Sequence, residues 1–267
     1  MSGFSTEWLS LREPLDARAR NPGILASAAA LCAQIPAPRI TDLASGTGST
    51  LRAMQPVLPA DQIWRLTDHD RTLVAAAHAR AQAEFPELAV ETLQVDLAHG
   101  VEPLLDDPVD LLTTSAFLDL VSAEWLDGLV AAVAARRVPF YAALTYDGRI
   151  SCHPEHPLDE TVRGAVNKHQ YGDKGFGPAL GPRAVLQAVK RFEAAGFSVA
   201  FAPSDWDAEP ADTAFQEALV RGWAQAALDM GIPAGDAADW QAARLAAITG
   251  GTSRIIVSHH DFLAVPA

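Results

Sequence analysis

The run Ile40-Thr41-Asp42-Leu43-Ala44-Ser45-Gly46-Thr47-Gly48-Ser49-Thr50-Leu51 constrains this chain more than any other. A β-prone segment reaches an acid, crosses small residues and two glycines, and enters a helix-compatible stretch. Glycines let the backbone turn tightly and let a ligand approach it, so the pattern predicts the strand–turn–helix opening of a nucleotide-binding α/β unit. A tight turn with no ligand fits the same residues taken alone. The details then separate ligands. A dinucleotide fingerprint G-x-G-x-x-G beginning at Gly46 needs glycine or alanine at position 51, where Leu51 stands. A P-loop needs Gly-Lys-Ser/Thr after the turn, and no lysine follows here.

The chain downstream alternates strand and helix. Residues 62–67 read as a second strand ending in Asp68, and Asp70 reads as the N-cap of a helix over 71–85. Residues 88–95 alternate as a third strand and reach Asp96-Leu97. The continuous apolar run from Val109 is a buried parallel strand that delivers Ser115 and Asp119 at its carboxyl end, where ligands bind in such sheets. Ser122 caps a helix through Arg136, and residues 138–145 form strand five. Upstream, residues 5–35 predict two helices, with Pro14 limiting or kinking the first and Pro22-Gly23 separating them.

Residues 146–181 break the rhythm with proline, glycine and histidine. A connection of this length inside a compact domain is usually functional, so it reads as a substrate-facing segment, helical around 158–170. A helix over 183–195, strand six at 197–202, helices at 211–230 and 237–247, strand seven at 253–260 and a β-prone run at 262–265 complete the chain.

The series D-x-A-x-G-x-G from Asp42 to Gly48 resembles the first motif of the class I S-adenosylmethionine (SAM) dependent methyltransferases, with Ala44 at the family's usual first glycine. The resemblance covers residues 38–145 at motif level and the rest at topology level. It implies a single doubly wound α/β domain over 1–267, with a seven-stranded, mostly parallel sheet whose last strand is antiparallel. Residues 1–37 would form an N-terminal helical cap, and 146–181 a substrate-facing insertion. SAM is the implied cofactor. Asp42, Ala44, Gly46 and Gly48 would pack under its methionine and ribose, and Asp68 would take both ribose hydroxyls, with His69 beside it. Asp96 and Leu97 would read adenine, Ser115 would lie at the strand-four edge, and Arg20 or Arg12 would meet the cofactor carboxylate. The implied reaction is methyl transfer to a nucleophile.

The residues themselves leave the base open. Asp119 lies near where an acceptor would sit, and His169, His153, His156, Asp147 and Asp173 lie in the long segment, where a histidine near its ordinary pKa can take a proton. Cys152, His153, Glu155 and His156 are donor-rich but match no zinc spacing, so no metal is expected. His259-His260-Asp261 reads as turn chemistry at a strand end. Lys168, Lys174 and Arg183 fit an anionic substrate group or a solvated surface.

A net charge of −13 argues against a nucleic-acid partner, which demands a basic footprint. It favours a small neutral or cationic molecule. The start Met1-Ser2-Gly3-Phe4 lacks the basic, apolar pattern of a secretory signal, and two unpaired-looking cysteines suit a reducing compartment, so a cytoplasmic protein away from membranes is expected. Two other readings share these features. One is a nicotinamide-dependent oxidoreductase, against which Leu51 argues; the other is a SAM-binding protein or aminopropyl transferase without methyl transfer.

Overall fold

The computed structural model describes residues 4–267; Met1–Gly3, the start of the segment read as lacking a secretory signal, lie outside the described residues. Two helices lead, α1 (Thr6–Ala19) and α2 (Pro22–Cys32). Ser5 caps α1 by accepting from the Trp8 N–H, and Asn21 caps α2 by accepting from Gly23 and Ile24, with Pro22 at the first helical position where its missing N–H costs nothing. Pro14 lies inside α1, which continues through it.

The sheet then forms from β1 (Arg39–Leu43), β2 (Ile63–Asp68), β3 (Ala89–Gln94), β4 (Leu111–Ser115) and β5 (Phe140–His153). The interleaved helices are α3 (Ser49–Met54), α4 (Arg71–Glu84) and α5 (Ala123–Arg136). Asp70 caps α4 through Thr72, and Ser122 caps α5 through Trp125, as their positions before apolar periodic runs predict. After β5 come α6 (Asp159–Gln170), α7 (Ala184–Ala194), β6 (Phe197–Pro203), β7 (Trp206–Ala208), α8 (Thr213–Asp229), α9 (Ala234–Thr249) and β8 (Arg254–Pro266).

The strand order is β3-β2-β1-β4-β5-β8-β6, with β7 also on β8. Strands β1 to β5 pair in parallel, while β8 runs antiparallel to β5, β6 and β7. Successive residues of a strand face opposite sides. Accordingly Leu111 and Tyr141 join a core containing Met54, Trp64, Phe215 and Trp240. Leu112 and Phe140 join the other, with Trp125, Phe192 and Phe262.

The sheet departs from expectation in three places. It has eight strands rather than seven, because the three-residue β7 is too short to show a period. Strand five does not end at Thr145: it runs to His153, its far half pairing with Ile255 to Val257 of β8 across two register shifts. The stretch 146–153 is therefore sheet rather than loop. Strand seven and the run after it are one strand, so His259, His260 and Asp261 lie mid-strand rather than in a turn. Asp261 is fully buried because three donors satisfy it: the Asn21 N–H at 3.0 Å, the Tyr141 hydroxyl at 3.0 Å and the Leu144 N–H at 2.9 Å. No helix of the described residues is long and apolar enough to cross a membrane.

Candidate active site

The carboxyl ends of β1, β2, β4 and β5 meet along one edge of the sheet. Two of these exits, Ala44 after β1 (φ 50°) and Ala116 after β4 (φ 50°), and Leu144 within β5 (φ 55°) carry a side chain in the left-handed backbone region. Each costs about 1–2 kcal/mol relative to ordinary backbone, and such strain gathers where function holds it in place.

At β1 the glycine turn is closed by Asp68 from β2. The Gly46 N–H donates to Asp68 Oδ2 at 3.0 Å, and the Asp70 N–H donates to Asp68 Oδ1 at 3.0 Å. Asp68 is buried, with the exposed His69 ring 3.3 Å from its Oδ1. Gly46 and Gly48 have φ of +56° and +83°, values that favour glycine. A Cβ at Gly46 would sit 3.1 Å from Leu9 Cδ1, so α1 lies directly over the turn. Glu13 of α1 holds it there through Arg52 and Arg80, and Arg52 also donates to the Thr47 carbonyl at 2.9 Å.

Behind the turn lie two buried ionisable groups, Asp42 and Arg20. Asp42 is fully buried and accepts from the Thr113 hydroxyl at 2.7 Å; burial pushes its pKa up to about 6, against the pull of Thr113 and of the Arg20 charge. Arg20, also buried, donates to Ser115 Oγ at 3.3 Å and to the Tyr141 hydroxyl at 3.5 Å. Among the described residues, Asp42 Oδ2 and Arg20 Nε have no hydrogen-bond partner. One buried acid and one buried base each keep a polar atom unpartnered among the described residues, which is costly unless a partner is supplied.

Asp96 is exposed and caps a short turn by accepting from the Ala98 N–H at 2.9 Å. Leu97 is buried, and its carbonyl accepts from the Trp125 indole at 2.6 Å. Neither belongs to the Arg20–Asp42–Ser115 group.

A cavity of about 380 Å³ opens beside this edge. Its walls are mostly apolar and come from α1 (Trp8), the β4 exit (Leu120), β5 (Leu144), α8 (Leu219, Trp223) and β7 (Trp206). Tyr146, Val166 and Gln170 are the contribution of residues 146–181. Asp119 lines it, 6% exposed, with burial pushing its pKa up to about 6 while the backbone amides at Asp119 and Tyr146 and the Arg12 and Lys174 charges pull it back.

The other candidate bases lie apart. His169 is half-buried, sits 3.4 Å from the Lys174 amine, and does not line the cavity; burial and that charge lower its pKa. His156 lines a separate cavity of about 280 Å³ with Cys152 and Glu155. Asp147 is held by Arg149 and His260, and Asp173 accepts from the Gly175 and Gly177 amides as a turn former. Arg12, expected near a cofactor carboxylate, instead faces Asp16 at 3.0 Å and lines the larger cavity. Among the described residues, no group of three or more His, Cys, Asp or Glu is placed to hold a metal ion. The sequence reading missed Trp206 and Trp223, and took His259 for turn chemistry rather than a cavity residue. Leu219 and Trp223 lie on one helical face four residues apart, but nothing in that spacing says what the face meets.

No protein-family model matches this sequence, and neither does any curated protein. Solved structures do. A cyclopropane synthase from Mycobacterium tuberculosis is similar with a TM-score of 0.50 at 9% identity, over 91% of this chain and 83% of that one. A mycolic acid cyclopropane synthase complexed with SAH and CTAB is similar with a TM-score of 0.51 at 10% identity, over 91% of this chain and 83% of that one. With the β3-β2-β1-β4-β5 parallel order and the antiparallel β8 inserted before β6, the chain has the fold of the class I SAM-dependent methyltransferases.

Proposed function

We propose that this protein is a SAM-dependent methyltransferase acting on a small-molecule acceptor. The observation that carries the reading is the Arg20–Asp42 pair beside the glycine turn, whose two unpartnered atoms suit the methionine carboxylate and ammonium of SAM. Asp68 would take the ribose hydroxyls with the lone pairs its two backbone amides leave free. Asp96 and Leu97 would receive the adenine, and Ser115 and His69 would flank the cofactor. SAM supplies an activated methyl: a nucleophile's lone pair bonds to the methyl carbon as the carbon–sulfur bond breaks, its electrons staying on sulfur. The chain's own part is to align that attack and exclude water, which the apolar cavity at the β4 and β5 exits suits. Asp119 is the proposed group at the acceptor. His169 would act there only if the segment around Lys174 moved.

The solved structures of similar fold include one complexed with SAH, which supports the same reading. The nicotinamide alternative is disfavoured by Leu51, whose side chain is buried where that fingerprint requires the smallest residues. The test is a thermal-shift titration with SAM, SAH and NAD. At a hundredfold excess over Kd, a ligand adds about 2.7 kcal/mol to stability. A response to SAM and SAH is expected, and a response to NAD alone refutes the reading.

A further inference from the structure

Several polar side chains of the 380 Å³ cavity have partners of their own among the described residues. Arg12 faces Asp16 at 3.0 Å. The Tyr146 hydroxyl donates to Asn167 at 2.7 Å. His259 Nδ1 lies 2.8 Å from the Val257 carbonyl, and burial lowers its pKa to about 3, which leaves the ring neutral. Gln170 is partly exposed to water. Asp119 differs: the Asp119 and Tyr146 amides and the Arg12 and Lys174 charges act on its carboxylate, yet its Oδ1 is buried with no hydrogen-bond partner among the described residues. Lys174, which also acts on Asp119 through its charge, instead reaches the His169 carbonyl at 3.2 Å and does not line the cavity.

A buried carboxylate oxygen without a partner is costly, and a ligand that supplies a positive charge relieves that cost more than a neutral donor can. The walls favour the same ligand. Trp8, Trp206 and Trp223 line it with aromatic carbon, which buries apolar groups and attracts cations. The volume lies at the low end of the roughly 300–1,000 Å³ range of small-ligand pockets. The chain's net charge of −13 draws cations towards it.

We propose that this cavity binds a small apolar amine as its ammonium ion, with the Asp119 carboxylate as counter-ion and Trp8, Trp206 and Trp223 as walls. The proposal rests on the methyltransferase reading only for calling that amine the methyl acceptor: there the bound ammonium would first give one proton to the Asp119 carboxylate, and the lone pair so freed on nitrogen would bond to the methyl carbon as the carbon–sulfur pair passes to sulfur.

Calorimetry on the whole protein, with and without SAH, tests it with three probes of one shape: 2-phenylethylamine, 2-phenylethanol and 3-phenylpropionate. The amine is expected to bind on the order of 10- to 100-fold more tightly than the alcohol, the difference between a charged and a neutral hydrogen bond, and the carboxylate more weakly still. Asp119→Asn should bring amine and alcohol within about threefold of each other in a protein whose circular dichroism is unchanged. If that variant does not fold, the wild-type series decides alone. Absence of amine binding, or an alcohol or carboxylate bound as tightly as the amine, overturns the proposal. SAH binding without amine preference overturns the amine and spares the methyltransferase reading. Amine preference without SAH affinity supports the pocket and overturns that reading.

Discussion

Replacing Asp119 with asparagine should stabilise the protein while damaging its site. Burial raises the Asp119 pKa from 3.8 to about 6, so the folded state holds its proton more tightly than the unfolded chain does. Stability from this group is therefore complete below pH 3.8, falls as pH rises towards 6, and has reached its full deficit above that. Two pKa units at about 1.4 kcal/mol each put the deficit near 3 kcal/mol at pH 8; the same linkage leaves about 1.6 kcal/mol at pH 5. The asparagine would keep the shape and an acceptor oxygen without the charge. Urea unfolding of both proteins should show the Asp119→Asn variant more stable by about 3 kcal/mol at pH 8 and by about half that at pH 5. The groups that act on Asp119 are the Arg12 and Lys174 charges and the Asp119 and Tyr146 amides, and none of these is altered. A gain that is equal at the two pH values, or a variant less stable than the parent at pH 8, refutes the argument that an unpartnered buried charge sits there.

Asp68→Ala removes the acceptor of the Gly46 and Asp70 amides, so it should cost about 2–4 kcal/mol in urea unfolding and weaken SAH binding by at least about tenfold in calorimetry. Gly46→Ala puts a side chain in left-handed backbone 3.1 Å from Leu9, so it should lower stability by about 1–2 kcal/mol and speed hydrogen exchange in α1. His259, neutral in the fold with its pKa lowered to about 3, contributes stability that is present above pH 6.5 and is lost as pH falls. His259→Gln should remove about 1.4 kcal/mol per pH unit from the slope of stability below pH 6.5, read from urea midpoints at pH 6.5, 5.5 and 4.5.

The half of the chain that carries glycines, caps and buried parallel strands was legible because its signals are local. Asp70 and Ser122 stand immediately before apolar helical runs, and both cap the predicted helices. The roles of side chains after Thr145 depend on partners distant in sequence. Asp147, Gly148 and Arg149 read as a loop because they interrupt alternation, yet they form a bulge (Gly148 φ +91°) in a strand held by β8. Asp261 reads as turn chemistry because a lone acid in a strand has no local partner; its three donors come from Asn21, Tyr141 and Leu144. Asp68 reads as a free strand-end acid, whereas two backbone amides already hold it. The cavity was the least legible part, since Trp8, Trp206 and Trp223 meet only once the helices and the sheet have packed.

The position of β8 carries a consequence for how the chain assembles. The five parallel strands pair among themselves, but β5 and β6 have no common neighbour until residues 254–266 arrive. Until then both strands present open edges, which are templates for pairing with other chains. The same late segment supplies His259 and Val257 to the cavity, and Asp261 to the Leu144 amide. A ribosome-bound chain stalled before residue 254 should therefore resemble a half-zipped sheet that aggregates readily and lacks the cavity's β8 wall.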